Sequence, residues 1–465
     1  MRIFGHHVSR TSLVLAIVEA LVLYVALYLA VILHTDVQPG SSMFNHEVLA
    51  TMGVAIVAMM IMGLYDSNHL VDSNGSIKIV LRLAFGLLLA FGIVLAYHAV
   101  APAPLLQNTT LAIGLTLAFF GLLAGRSFYR RLATSPTFKR RLLVLGTGAR
   151  ASSTESIHTD REPGELPYKV VAYVATDPEA AVEVPLERVM QLAPNETLLD
   201  LARKLRTEEI VVAIRDRRGT LPIRQLLECK LQGIPVTDLS SFFERECQQL
   251  RLDSLNTSWL VFGDGFRQNW ARNVVKRSLD LIASTVLLLL TFPVMLATAL
   301  AIRLDSPGPI FYWQTRVGMG NRPFDVCKFR SMRQDAESNG VAQWATGNDD
   351  RVTRVGRVIR KFRIDELPQI INVFKGEMSF VGPRPERPVF VDQLSEQIPY
   401  FLARHSIRPG ITGWAQVRYP YGASVHDARE KLQYDLYYLK NHTLFMDIVI
   451  IIETVTVVLF GRGAR

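Results

Sequence analysis

Cysteine is scarce. Cys229, Cys247 and Cys327 are the only thiols in 465 residues. Their scatter excludes a disulfide framework and the common zinc-ligand spacings, and it suits a reducing cytoplasm. A secretory cleavage site is missing too: the first apolar run is too long for a signal peptide and carries no small-residue cleavage motif, so it is expected to remain as an anchor. Lys and Arg are absent from two early loops, His34–Glu47 and Ala101–Thr109. Acidic residues are in deficit over the whole chain, 42 against 51 Lys and Arg. A net charge of +9 suits nucleic acid, anionic lipid or phosphorylated substrates.

What is abundant is apolar sequence, unevenly spread. Hydrophobic residues make up 49% of the chain and are concentrated in the first 125 positions. Four runs, roughly Ser12–Leu33, Val48–Leu64, Leu83–Val100 and Thr110–Gly125, are each near the length of a membrane-crossing helix. Such spans favour lipid and phosphate over nucleic acid as partners of the positive charge. Arg2 and Arg10 precede the first run, Lys78 and Arg82 separate the second from the third, and Arg126, Arg130, Arg131, Lys139, Arg140 and Arg141 follow the fourth. The positive-inside rule then places the N-terminus and everything after Arg126 in the cytoplasm. Glu19 lies inside the first run with no evident partner at that depth, which predicts a hydrogen-bonded bundle contact before a functional acid.

Residues 139–262 read as an α/β domain. Arg141-Leu-Leu-Val-Leu-Gly146-Thr-Gly148-Ala-Arg-Ala151 is a strand entering a glycine turn and a helix, and Lys169–Val174 and Glu209–Ile214 are further strands. The alternation predicts a Rossmann-like sheet. Gly146 and Gly148 would let a phosphate approach the backbone. Asp177 stands where a dinucleotide site wants its ribose-binding acid, but comes late. A nucleotide-binding domain and a structural or regulatory one both fit.

From Asn273 the character changes. Leu281–Ile302 is long enough to span, yet Arg272, Lys276 and Arg277 precede it and Arg303, Arg316 and Arg322 follow it, while Pro293 sits near its middle. Basic residues on both flanks and a helix-breaking proline predict a re-entrant helix, 276–303, that dips into one leaflet and returns. A full span or a buried hairpin of a soluble domain are the alternatives.

Four motifs crowd the last 190 residues: Lys328-Phe-Arg330-Ser-Met332, Arg360-Lys-Phe-Arg363-Ile-Asp365-Glu366-Leu-Pro368-Gln369, Gly382-Pro-Arg384-Pro-Glu386-Arg387-Pro, and Arg408-Pro-Gly410-Ile-Thr-Gly413-Trp-Ala-Gln416. Pro368 belongs in a first helical turn, so the pattern after it predicts a short helix ending at Gly376 with Asp365 and Glu366 at its N-terminus. A helix start keeps carboxylates ionised and attracts phosphate. An ionised Asp there could attack phosphorus while its neighbour holds Mg²⁺. Lys328, Arg330, Arg360 and Arg384 are the charges a diphosphate needs, and Arg384 is framed by two prolines. Arg408 and Gln416 are further expected substrate contacts. Trp414, Tyr419 and Tyr421 could stack on a ring or serve as core. Met446–Phe460 reads as an interfacial or packing helix because of Asp447 and Glu453.

In this order the motifs resemble the polyprenyl-phosphate hexose-1-phosphate transferases, the bacterial sugar transferases that initiate exopolysaccharide, capsule or O-antigen units. The resemblance covers Asn273 to the end, and the full layout looks like the larger members. It implies a multidomain membrane protein with four transmembrane helices in 1–130, the Rossmann-like cytoplasmic domain, and a mainly α catalytic domain, 273–465, carrying the re-entrant helix. It implies Asp365 as nucleophile and Glu366 as the metal-supporting acid, both holding Mg²⁺. Its substrates would be a UDP-sugar and undecaprenyl phosphate at the inner membrane, and the larger members suggest a homodimer. Phe292, where Ser is frequent, and Phe362-Arg363-Ile364, where Thr-Ser-Leu is common, depart from the pattern. Arg363 would add a phosphate contact or face solvent. The competing readings are a membrane-bound NAD-dependent nucleotide-sugar dehydratase, which lacks support because no Tyr-x-x-x-Lys spacing occurs, and a non-catalytic export regulator.

Overall fold

The computed structural model describes residues 2–3, 6–7, 10–34, 42–62, 64–65, 76–99, 107–133, 139–155, 168–175, 181–193, 196–214, 221–253, 265–266, 270–333, 351–420, 422 and 424–460. His7–Cys247 and Gln248–Arg465 belong to two separate compact units.

In the first unit, α1 (Arg10–His34), α2 (Ser42–Ile61), α3 (Ser76–His98) and α4 (Asn108–Ala133) share a core that includes Leu23, Leu27, Met59, Leu83, Leu115 and Leu122. Their outer positions are apolar as well: Val14, Ile17 and Leu21 are exposed. A helix hydrophobic on all sides belongs in lipid, where its backbone hydrogen bonds are satisfied internally. Val14–His34, Ile79–His98 and Asn108–Tyr129 are long and apolar enough to cross a membrane, while the stretch His46–Ile61 in α2 is shorter. Helix α2 stops at Ile61, three residues before the predicted end of the second run. Gly114 and Gly121, two turns apart on α4, bring it close to α1, since a Cβ would meet Leu27 at 2.8 Å and Val22 at 2.8 Å respectively.

Glu19 makes the buried bundle contact expected of it, and the partner that the sequence did not reveal is Arg126. Arg126 meets it with Nε–Oε1 2.6 Å and Nη2–Oε2 2.9 Å, and donates from Nη1 to the carbonyl of Leu64 at 2.9 Å. The sequence hid the pair because 107 residues separate its members and only the packing of α1 on α4 joins them. Leaving one of two buried charges alone costs roughly 3–5 kcal/mol. Glu19→Ala and Arg126→Ala should therefore each lower the melting temperature in detergent more than the double variant does. Additive losses would show that the pair is not coupled.

The α/β region has five parallel strands, β1 (Arg140–Leu145), β2 (Tyr168–Val174), β3 (Val189–Met190), β4 (Glu209–Val212) and β5 (Val236–Asp238), in the order 3-2-1-4-5. This is the doubly wound order expected for a Rossmann-like sheet. The burial of every residue of β4 suits a strand covered on both faces. Helices α5 (Ala149–Ser152), α6 (Leu198–Lys204), α7 (Ile223–Leu231) and α8 (Leu239–Cys247) accompany it. Gly146, at φ +120°, donates to Val174 O, and Gly148 caps α5. The turn is also tied to the segment 181–183, since Glu183 N donates to Thr147 O at 2.8 Å. Asp177 lies outside the described residues.

In the second unit, α9 (Trp270–Asp305) is a single helix of 36 residues with Pro293 inside it. It too is long and apolar enough to cross a membrane. An antiparallel hairpin follows, β6 (Phe311–Val317) with β7 (Pro323–Phe329). Then come α10 (Arg354–Lys361), a 3-10 turn at Ile364–Gln369, α11 (Ile370–Lys375), β8 (Ser379–Val381), α12 (Pro388–Gln397), a second 3-10 turn at Phe401–Ser406, β9 (Gly410–Thr412), α13 (Trp414–Arg418), α14 (Val425–Asn441) and α15 (Leu444–Phe460). Helix α15 is a packing helix: Met446 and Ile450 are core, and Asp447 bonds Lys276 and Tyr438.

This unit begins before Asn273. Leu250 and Leu252 enter its core, Leu250 N donates to Gln433 O, and Trp414 Nε1 donates to Gln248 O at 2.9 Å. Stripping two buried leucines costs roughly 2–5 kcal/mol each. A chain starting at Gln248 should thus remain monodisperse and melt well above one starting at Asn269; equal melting temperatures would show that the Gln248–Leu252 strap contributes nothing.

Candidate active site

The site starts from a local strain. Arg363 adopts φ +56°, a left-handed conformation uncommon for a non-glycine residue, and the chain then turns into the 3-10 segment that carries Asp365 and Glu366 in its first turn. Pro368 sits within that turn, α11 follows, and Gly376 ends it at φ +85°. The predicted short helix is therefore present, entered through a 3-10 turn, with both acids at its start.

Strand β7 and the Pro-framed loop deliver the cations. Arg384 Nη2 lies 2.7 Å from Glu366 Oε1, Lys328 Nζ 3.6 Å from the same oxygen, and Arg363 Nη1 3.8 Å from Oε2. Burial works against ionisation of Glu366, yet Arg384 and Lys328 hold its carboxyl well below the usual range. Asp365 goes the other way: burial and the adjacent Glu366 charge raise it, against Lys328, Arg384 and Arg360. Among the described residues, no hydrogen bond or ion pair engages the Asp365 carboxylate. Burial pushes Lys328 down to about 8. Two neighbouring acids thus have different tasks available to them: one is clamped and anionic, the other is open and more basic, as a nucleophile needs.

Two further arginines hold the Arg384 loop in place: Arg404, unmarked in the sequence, and Arg316, counted there only as a flanking charge. Arg404 Nη2 donates to the carbonyl of Arg384 at 3.0 Å and to buried Asp435 at 2.7 Å. Arg316 Nη1 donates to Pro385 O at 3.2 Å. Nothing in their local spacing marks them, although an acid such as Asp435 inside the apolar run of α14 hints at a buried partner. Strands β8 and β9 set the loop's position by close backbone contact. A Cβ on Gly410 would meet Gly382 N at 2.1 Å, and one on Gly413 would meet Gly382 O at 2.1 Å. The glycines of the third and fourth motifs are thus needed by each other.

Other expected contacts are used differently. Arg330 is buried, and its guanidinium donates to Pro307 O, Ser306 O and Ser306 Oγ at 2.6, 2.7 and 3.0 Å. It ties down the C-terminal end of α9 and does not join the ion-pair cluster. Arg408 Nε donates to Gly376 O at 2.9 Å, capping α11. Trp414 is core, stacked on Tyr437. Tyr421 lies outside the described residues. Arg360 reaches Asp365 through its charge. Gln416 and Tyr419 line a cleft that also takes in Arg363, Arg384, Arg404 and Lys431.

Residues 271–461 match the model of the family described as bacterial sugar transferase. The chain is 33% identical over 351 residues to the UDP-glucose:undecaprenyl-phosphate glucose-1-phosphate transferase of Xanthomonas campestris pv. campestris, covering 73% of this chain and 70% of that one. This chain is a bacterial sugar transferase. It is also 46% identical over 182 residues to a protein of the same printed name from Caulobacter vibrioides, with 39% of this chain and 68% of that one covered. A UDP-N-acetylgalactosamine-undecaprenyl-phosphate N-acetylgalactosaminephosphotransferase from Aeromonas hydrophila is 46% identical over 242 residues, 52% of this chain. The match spans 56% of that relative's length. The family region of the transferase holds Asp365, Glu366, Lys328, Arg360 and Arg384.

Proposed function

We propose that this transferase moves a hexose-1-phosphate from a UDP-sugar to undecaprenyl phosphate through a covalent phosphosugar on Asp365, initiating an exopolysaccharide or related glycan at the inner membrane. The observation that carries the reading is the division of labour at the dyad: Glu366 is held by Arg384, Lys328 and Arg363, while Asp365 is left unengaged beside the same cations. The names of the relatives supply the substrate classes.

In the first displacement, an Asp365 oxygen bonds to the sugar-bearing phosphorus and the diphosphate bridge breaks, its electron pair leaving with UMP. In the second, the lipid phosphate attacks the acyl phosphate and restores the Asp365 carboxylate. Lys328, Arg360 and Arg384 offset the charge on the transferring phosphoryl group. Adjacent carboxylates, one of them unengaged, fit Mg²⁺, which takes one or two protein carboxylates and completes its shell with water and substrate phosphate. Bound there, Mg²⁺ would neutralise diphosphate charge. Purified protein given a UDP-sugar panel and undecaprenyl phosphate should release UMP with one sugar; absence of UMP with every donor would overturn the reading.

The reaction joins a water-soluble donor to a membrane-embedded acceptor, so α9 is proposed to be re-entrant, keeping both its ends on the cytoplasmic side. Asn273→Cys and Arg322→Cys should then both resist an impermeant thiol reagent in intact cells. Labelling of Arg322→Cys alone would show a full span.

A further inference from the structure

Asn372 stands where the carriers of three site groups meet, although none of the four motifs contains it. It is fully buried on α11, the helix that follows the Asp365–Glu366 turn. Its carboxamide reaches β7, the strand that carries Lys328: Cys327 N donates to Oδ1 at 2.9 Å, and Nδ2 donates to Asp325 O at 2.6 Å. Nδ2 also donates to Glu377 Oε2 at 2.8 Å. The backbone carbonyl of Asn372 accepts from Glu377 N and Met378 N, where the chain leaves α11 for β8 and the Arg384 loop.

A carboxamide offers an acceptor oxygen and two donor hydrogens, and each is used here. Its orientation follows from the partners: the N–H of Cys327 demands the oxygen, and the carbonyl of Asp325 demands the nitrogen. Both partners lie on the edge of β7 opposite β6, where a further strand would offer a peptide C=O and N–H. Asn372 supplies the same pair from a helix. Apolar contact alone would not place the strand. Val326, Val373 and Met378 pack together there, but such burial is non-directional and tolerates sliding, whereas two bonds to fixed backbone atoms do not. Lys328 is the residue after Cys327, and its Nζ lies 3.6 Å from Glu366 Oε1. The register of β7 on α11 therefore sets where that ammonium stands.

Building on the proposed transferase reaction, we infer that Asn372 is a positioning residue: its carboxamide locks β7 to α11 in one register and so holds Lys328 against the Asp365–Glu366 turn. It acts through Lys328 and touches no reacting atom. Leucine in its place has similar volume but leaves Cys327 N and Asp325 O without their buried partner. Aspartate keeps the acceptor for Cys327, loses the donor for Asp325 and sets a second carboxylate beside Glu377.

The test uses the full chain in nanodiscs with undecaprenyl phosphate and the donor that wild type turns over. Asn372→Leu should lower the kcat of the folded enzyme by about 10²-fold, the scale of a misplacement of about 1 Å, and change KM for the donor by less than about threefold. In a Lys328→Met background the same substitution should cost less than about threefold, because the group it positions is gone. Asn372→Asp should follow the same pattern, and it carries the comparison if the leucine variant does not fold. Val373→Ala thins the packing between the same elements, so it should lower the melting temperature and leave kcat within about threefold. Full kcat in both Asn372 variants would overturn the assignment. A raised KM at unchanged kcat would mark a donor-binding role and overturn it as well. So would an undiminished loss in the Lys328→Met background, or an equal kcat loss in Val373→Ala at the same melting temperature, since either would reduce the amide to packing. Wild type releasing no UMP would instead sink the transferase reading, and the inference with it.

Discussion

Asp365→Asn is expected to abolish turnover, with a loss of at least about 10⁴-fold, the scale on which removing a covalent nucleophile acts. An amide has no anionic oxygen to form the acyl phosphate. The fold should persist, because the ion pairs at this turn go to Glu366 and leave Asp365 unengaged. The melting temperature should therefore stay near that of wild type. Radiolabelled sugar phosphate should remain on wild-type protein when lipid acceptor is withheld, and should not accumulate on Asp365→Asn. Glu366→Gln should behave differently. It removes the anion that Arg384 and Lys328 hold, so it should lower both the rate, by about 10²-fold, and the melting temperature. Near-normal turnover by Asp365→Asn would end the covalent mechanism.

The second large effect is expected at Arg384. Its guanidinium holds Glu366 at 2.7 Å, and its backbone is gripped by Arg404 and by the glycine contacts between β8 and β9. Arg384→Lys should cost about 10²–10³-fold in kcat/KM, as for removal of one preorganised donor to a developing charge. A lysine supplies one point of charge where the frame presents a fork. Arg330→Lys is the instructive comparison. Arg330 binds carbonyls at the end of α9, so its loss should lower the melting temperature first and the rate of the folded fraction little. If both variants lost activity alike at equal stability, the separation of their roles would be wrong.

Much of this arrangement was legible in the sequence. The alternation of strand and helix patterns after Arg140 predicted a parallel sheet, and the 3-2-1-4-5 order bears it out. Pro368 and Gly376 bracketed the short helix behind the dyad, because proline and glycine act on the backbone where they stand. The four motifs picked out Lys328, Arg360 and Arg384 with the two acids. Arg330 was misplaced for a physical reason: a guanidinium serves equally for a phosphate and for helix-end carbonyls, and only the position of α9 decides between them.

The sequence by itself determined what local chemistry can encode: the apolar runs, the helix starts and stops, and the grouping of carboxylates with basic residues in four short motifs. Tertiary structure alone decided which charges meet. Glu19 found Arg126 from 107 residues away, Arg404 reached both Arg384 and Asp435, and Gly382 closed against Gly410 and Gly413. Such pairs join elements remote in sequence, and no periodicity records them. The different states of Asp365 and Glu366 have the same origin. They are adjacent acids in one turn, and it is the side on which Arg384 and Lys328 arrive that leaves one clamped and the other unengaged.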